Sequence, residues 1–129
     1  MPHLIIQYSS NLEHQIDFTA LCKTVNEAIV DTGLFETGAV RVRASSAHHF
    51  AIADGAPENG FVDMNFRIGT GRSEEEKKRA GEMIFAAAEK LLPRFFETPH
   101  FALSLEIREI DPVFSWRRNT LHARFRDQA

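Results

Sequence analysis

Apolar and polar residues alternate strictly over residues 61–68, with Val62, Met64, Phe66 and Ile68 facing one way and Asp63, Asn65 and Arg67 the other. A period of two is the mark of a strand with one buried face. The same period returns where Phe101, Leu103, Leu105 and Ile107 oppose Ala102, Ser104, Glu106 and Arg108, and over residues 39–44, where Val40 and Val42 oppose Arg41 and Arg43. Residues 4–8 add a fourth, largely apolar strand. Between the strands the period lengthens. Phe18, Leu21, Cys22, Val25, Ala28 and Ile29 share one helical face, and Gly33 closes that helix, because glycine takes the left-handed conformation that ends helices at little cost. Ala80, Met83, Ile84, Ala87 and Leu91 form a second stripe, ended or kinked near Pro93. Its start is sharply marked: Ser73 and Glu76 have the spacing of a capping box, and Glu74 and Glu75 suit the positive end of the helix dipole. Residues 45–60, with His48-His49-Phe50, read as a short strand or turn followed by a loop.

Strand, helix and strand thus occur twice, which predicts one domain over residues 1–129, built from a βαβ unit at about 1–58 and a second at about 59–111. A lone helix cannot bury its stripe, so both helices are expected on one face of a four-stranded mixed sheet, an α+β architecture. The opposite sheet face is then uncovered. If its strand positions are apolar, such a patch marks association, so a homo-oligomer is expected. Residues 112–129, with Phe114, Trp116, Arg117, Arg118 and Asn119, are too aromatic and basic for a disordered tail and read as a packing segment, set against another subunit.

Composition narrows the class of function. Fifteen basic against eighteen acidic residues give a formal charge of −3, with both signs interspersed, so no nucleic acid partner is expected. The single cysteine, Cys22, lies at helical spacing among apolar residues and reads as a small hydrophobe. There is no leader pattern and no apolar run of membrane-spanning length, so a cytoplasmic protein without membrane contact is expected. Six histidines are present, but none stand at ligand spacing, and no metal is expected. The turn Gly69-Thr70-Gly71 has Glu74 where a dinucleotide fingerprint needs its third glycine, and it lacks the lysine of a phosphate loop.

Chemistry concentrates at the start of the chain. Pro2 precedes the first strand directly, and removal of Met1 would leave it with a free secondary amine able to accept and return a proton. Such amines titrate at roughly 7.7 to 8.0, and burial or nearby cations lower that toward the range of an effective general base. Arg72 sits between the 69–71 turn and the helix N-cap Ser73, where its guanidinium and the free helix N–H groups converge on an anion. Position alone favours a solvated loop arginine there, and Arg41 and Arg43 likewise admit a solvent-facing role.

Pro2, the strand "AVRVRA" and the block "RIGTGRSEEEKKRAGEMIF" together resemble the tautomerase superfamily, whose members use an amino-terminal proline as catalytic base. Residues 67–111 look like one whole subunit of 4-oxalocrotonate tautomerase, and nearly the full chain is similar to the 5-carboxymethyl-2-hydroxymuconate isomerase family. The resemblance implies a duplicated βαβ fold and a homotrimer acting on a small di- or tricarboxylate without any cofactor. It makes Pro2 the proton shuttle, from the 2-hydroxyl of a dienol to C5, and assigns Arg41 and Arg72 to the substrate carboxylates and the developing oxyanion. Arg43, Phe66, Trp116 and Asn119 are expected to bind substrate. The second unit opens Gly60-Phe61 and has no arginine where Arg41 stands in the first, so one competent site per chain is expected. Two rivals stand beside this reading. One is another tautomerase activity, phenylpyruvate-type or dehalogenase-like; the other is a non-catalytic ferredoxin-like binding module, whose topology also follows from two βαβ units.

Overall fold

Strand pairing converts the two repeats into one sheet. In the computed structural model, which describes residues 1–126, β1 (His3–Ser9) lies parallel to β2 (Arg41–Ala47) and antiparallel to β3 (Gly60–Ile68), and β3 lies parallel to β4 (Phe101–Glu109). The order β2-β1-β3-β4 therefore joins the two βαβ units back to back through their first strands. The long helices α1 (Phe18–Asp31) and α2 (Glu74–Glu89) are the crossovers, and they also touch each other.

Register decides which residues meet the helices. Leu4 pairs with Phe66 and Ile6 with Met64, and all four are fully buried under Leu21, Val25 and Ile29 of α1 and Ile84 of α2. Burying each such side chain contributes about 1.5 to 3 kcal/mol, so this double layer is the main source of stability. The capping box at α2 is formed as expected: Ser73 Oγ accepts from Glu76 N at 3.1 Å, and Glu76 Oε1 accepts from Ser73 N at 2.9 Å. At α1 the N-cap is Asp17, whose carboxylate accepts from Ala20 N at 3.0 Å.

Several expectations need correction. Strand β2 starts later than residue 39, because residues 37–39 wind into a 3₁₀ turn in which Ala39 N donates to Glu36 O at 3.0 Å. Leu91 is 44% exposed while Leu92 is buried: α2 stops at Glu89, and the turn after it shifts the phase of the stripe. Pro93 opens the short helix α3 (Pro93–Phe96) instead of ending α2.

The uncovered sheet face is largely polar, so the condition under which an apolar patch would drive association is not met. Across the strands it carries the row Arg41, His3, Arg67 and Arg108, then Arg43, Ile5, Asn65 and Glu106, then Ser45, Gln7, Asp63 and Ser104. The buried positions of β3 and the half-buried ones of β4 fall on the helix side, and Ile5, Phe61 and Ala102 are the apolar exceptions on the open face. After β4 the chain turns back along residues 110–121 and enters helix α4 (His122–Arg126), which docks on the 37–39 turn.

Candidate active site

The first residues enter the sheet beside Arg41, whose backbone N–H donates to Pro2 O at 3.1 Å. Because β3 runs antiparallel to β1, the turn leaving β3 comes back to the start of the chain. Gly71 takes φ 109°, a conformation that L side chains rarely adopt, and so aims Arg72 inward. Arg72 is then clamped by uncharged groups: Nε and Nη2 donate to Leu34 O at 3.3 and 2.9 Å, Nη1 donates to Gly69 O at 3.2 Å, and the guanidinium lies 4.3 Å over the Phe35 ring. Its charge has no carboxylate partner among the described residues. Gly69 lies against the same point: a Cβ placed there would make ordinary contact with Met1 N at 3.6 Å and Arg72 Nη1 at 3.7 Å.

Two cavities meet at Met1. One of about 350 Å³ is walled by Pro2, Phe35, Arg72 and Arg117. The other, of about 470 Å³, is walled by His3, Arg41, Arg67, Trp116 and Arg117. Among the described residues the only carboxylate lining either one is Glu36, and it is already engaged: Arg126 Nε and Nη2 donate to it at 2.8 and 3.1 Å, and His122 Nδ1 lies 3.0 Å away. Both cavities are therefore basic in a chain whose net charge is −3.

This setting acts on proton affinity. Burial, then Arg117, Arg72, Arg41 and Arg67, hold the terminal amine below its ordinary value of 8.0. Burial and the guanidiniums of Arg67, Arg41 and Arg43 push His3 down to about 4. The ring is thus a neutral acceptor at pH 7, with Arg41 Nη1 3.5 Å from Nε2 and Arg43 Nη1 3.4 Å from Nδ1.

The structure brings together Pro2, Arg72, Arg41 and Trp116 of the residues singled out in the sequence. Phe66 is corrected: it is fully buried under the helices and supports the Phe35 ring from behind, 5.5 Å between centroids, without lining either cavity. Asn119 is an anchor, since its Nδ2 donates to Gly38 O at 2.8 Å and its Oδ1 accepts from Leu121 N at 2.7 Å. Arg43 is exposed, lines neither cavity and reaches the site only through His3. Sequence reasoning missed Phe35, His3 and Arg117. Phe35 had a usable signal in its place just after the helix-closing Gly33; the other two had none beyond a basic, aromatic neighbourhood.

Comparison with known proteins decides the family. The family model for 5-carboxymethyl-2-hydroxymuconate isomerase matches residues 2–125. The chain belongs to that family. A 5-carboxymethyl-2-hydroxymuconate Delta-isomerase of Escherichia coli is 34% identical over 126 residues, covering 98% of this chain and all of the relative. The crystal structure of a 5-carboxymethyl-2-hydroxymuconate isomerase from Deinococcus radiodurans R1 superposes with a TM-score of 0.90 at 33% identity, over 96% of this chain and 93% of that one. The fold alone extends further, to a fused 4-OT described as a symmetric trimer, with a TM-score of 0.62 at 16% identity over 94% and 98% of the two chains.

Within this isomerase family fold, the second βαβ unit shows what the first has gained. Phe101 stands opposite Gly60 where Arg41 stands opposite His3. The corresponding cavity, about 470 Å³ between Asn11, Glu58, His100 and Phe101, has no arginine in its wall.

Proposed function

We propose that this protein is a cofactor-free isomerase of 5-carboxymethyl-2-hydroxymuconate-like dienols, acting through Pro2 after removal of Met1. The observation that carries the reading is geometric: Met1 and Pro2 open onto cavities walled by Arg72, Arg41 and Arg117, a setting that already lowers the proton affinity of the Met1 amine. The Pro2 nitrogen takes the proton of the substrate 2-hydroxyl. The freed electron pair forms the C2 carbonyl, the C2–C3 double bond moves to C3–C4, and the electron pair of the C4–C5 double bond takes the proton back from the prolinium at C5. Atoms balance, and the conjugated dienol supplies its own activation.

Guanidiniums serve this sequence twice. Arg72, fixed by two backbone carbonyls, presents a static positive charge to the oxyanion that develops at C2 or to a carboxylate beside it. Arg41 holds a carboxylate on the other side of the amine. Their field also lowers the proton affinity of an amine held at the start of the chain, the direction a general base needs. A phenylpyruvate-type or dehalogenase-like activity fits less well, because a substrate with one carboxylate leaves the remaining guanidiniums without a counter-ion. The same reading places the reaction in aromatic-acid (homoprotocatechuate) breakdown, in the cytoplasm, with one competent site per chain. No helix among the described residues is long and apolar enough to cross a membrane. A homotrimer is part of the proposal, supported by the fused 4-OT trimer that shares the fold and by the uncovered polar sheet face.

Intact mass of the purified protein, followed by an ultraviolet assay of dienol ketonisation, tests the mechanism. Pro2→Ala is expected to lose at least roughly 100-fold in kcat, the scale of a displaced general base, and acetylation of the terminal amine is expected to abolish turnover. Methionine retained on fully active protein overturns the proposal, as does full activity of the acetylated form.

A further inference from the structure

Arg117 borders both cavities, on either side of the chain's first residues, whereas Arg72 borders only the first and Arg41 only the second. It takes part in no ion pair or side-chain hydrogen bond among the described residues, although Arg126, in the same wall, is neutralised by Glu36. Its backbone is nevertheless held on both sides. Asp111 Oδ1 accepts from Val113 N and Phe114 N at 2.8 and 2.9 Å, and Ser115 Oγ donates to Asp111 O at 2.6 Å. Beyond it, Asn119 is tied to Gly38 O at 2.8 Å. The segment thus carries an uncommitted guanidinium across the junction of two basic cavities. Arg67 and Arg118 border the second cavity alone.

We propose that Arg117 is the third carboxylate-binding residue of the site and sets the preference for tricarboxylate over dicarboxylate dienols. The inference rests on the isomerase reading above. A 2-hydroxymuconate skeleton carries a carboxylate at each end, and a 5-carboxymethyl group adds a third. Of the guanidiniums that act on the amine and have no carboxylate partner among the described residues, Arg72 borders the first cavity, Arg41 and Arg67 the second, and Arg117 both. Arg72 and Arg41 lie in separate cavities and match the two terminal acids. Arg117, shared by both, faces whatever projects between them. Its exposure suits this role, because a solvated side chain can close on the substituent after the rest of the substrate is seated.

The test measures ketonisation of 5-carboxymethyl-2-hydroxymuconate and of 2-hydroxymuconate by the wild type, Arg117→Ala and Arg117→Lys. Arg117→Ala is expected to lose roughly 10- to 100-fold in kcat/KM on the tricarboxylate, chiefly through KM, as loss of a charge-assisted hydrogen-bonded pair implies. On the dicarboxylate the loss is expected to be clearly smaller and to fade at alkaline pH, because only the field of Arg117 on the terminal amine is removed there, while on the tricarboxylate a loss in KM persists at every pH. Lysine restores part of the difference, since charge returns without the two-point geometry. Circular dichroism confirms that the variants are folded, and inhibition by propane-1,2,3-tricarboxylate against glutarate repeats the comparison without turnover. Equal losses on both substrates, or no loss on the tricarboxylate, overturn the assignment while leaving the isomerase reading intact. A wild type that ketonises neither dienol overturns the isomerase reading itself.

Discussion

His3 holds the basic site together from below. It stands in the sheet between Arg41 and Arg67, with Arg43 also near, and a neutral imidazole has one acceptor nitrogen to offer them. Its folded value of about 4 lies below the ordinary 6.5, so between those values the unfolded chain takes up a proton that the folded chain refuses. Stability conferred by the neutral ring is therefore full above 6.5 and is lost as the pH falls toward 4. Urea melts at several pH values test this: His3→Asn, which keeps an acceptor but cannot titrate, should lose less stability than the wild type on going from pH 7 to pH 4. Identical slopes would show that the ring is protonated in the folded protein. The position was in plain view in the sequence as the residue after Pro2, yet nothing local marked it, because its neighbours Arg41 and Arg67 are brought to it only by strand register.

Among the elements, α4 depends most on its surroundings. A helix of five residues does not form alone in water, so its place comes from the Glu36 contacts with His122 and Arg126 and from close packing on Gly38. A Cβ at Gly38 would sit 3.0 Å from both His122 Cα and His122 N, tighter than nine in ten real Cβ contacts, so the His122 backbone would have to give way. Gly38→Ala is thus expected to lift α4 and the preceding segment, withdrawing Arg117 while the sheet and core remain. Hydrogen-exchange mass spectrometry should show faster exchange confined to residues 112–126, with kcat/KM reduced and far-ultraviolet dichroism almost unchanged. Unaltered protection there would mean that the turn yields instead. The strands, by contrast, were legible early: β3 and β4 each bury one face, and a period of two states that directly. Leu91 and Leu92 were not, because the phase of a stripe is lost once the helix has ended.

At the scale of the molecule, the trimer proposed above draws on the open face. Its rows mix Arg41, Arg43, Arg67 and Arg108 with Asp63 and Glu106, while Phe114 and Trp116 project from the return segment with 74% and 86% exposure. Association through such a surface combines aromatic anchors with charge pairing, and charge pairing weakens as salt screens it. Sedimentation velocity is expected to show a three-chain particle at low ionic strength that dissociates more readily at high salt. A fully active monomer at every concentration and salt would exclude the trimer. The polarity of this face was readable in Asp63, Asn65 and Ser104, and an apolar surface was raised as a condition only because the sheet's second side had no other cover.

Local pattern alone gave four strands, two long helices, the capping box at Ser73 and the adjacency of Arg72 to its glycine turn. Periodicity and capping depend on residues a few positions apart, so a linear reading contains them. Placing Pro2 beside Arg72, committing Glu36 to Arg126, retiring Phe66 to the core and suspending Arg117 over both cavities required the tertiary structure. Those relations follow from which strand pairs with which, in what register, and from a return segment tied back to Gly38. Non-local hydrogen bonds and the shared burial of two helical stripes select them, and neither leaves a mark on the order of neighbouring residues.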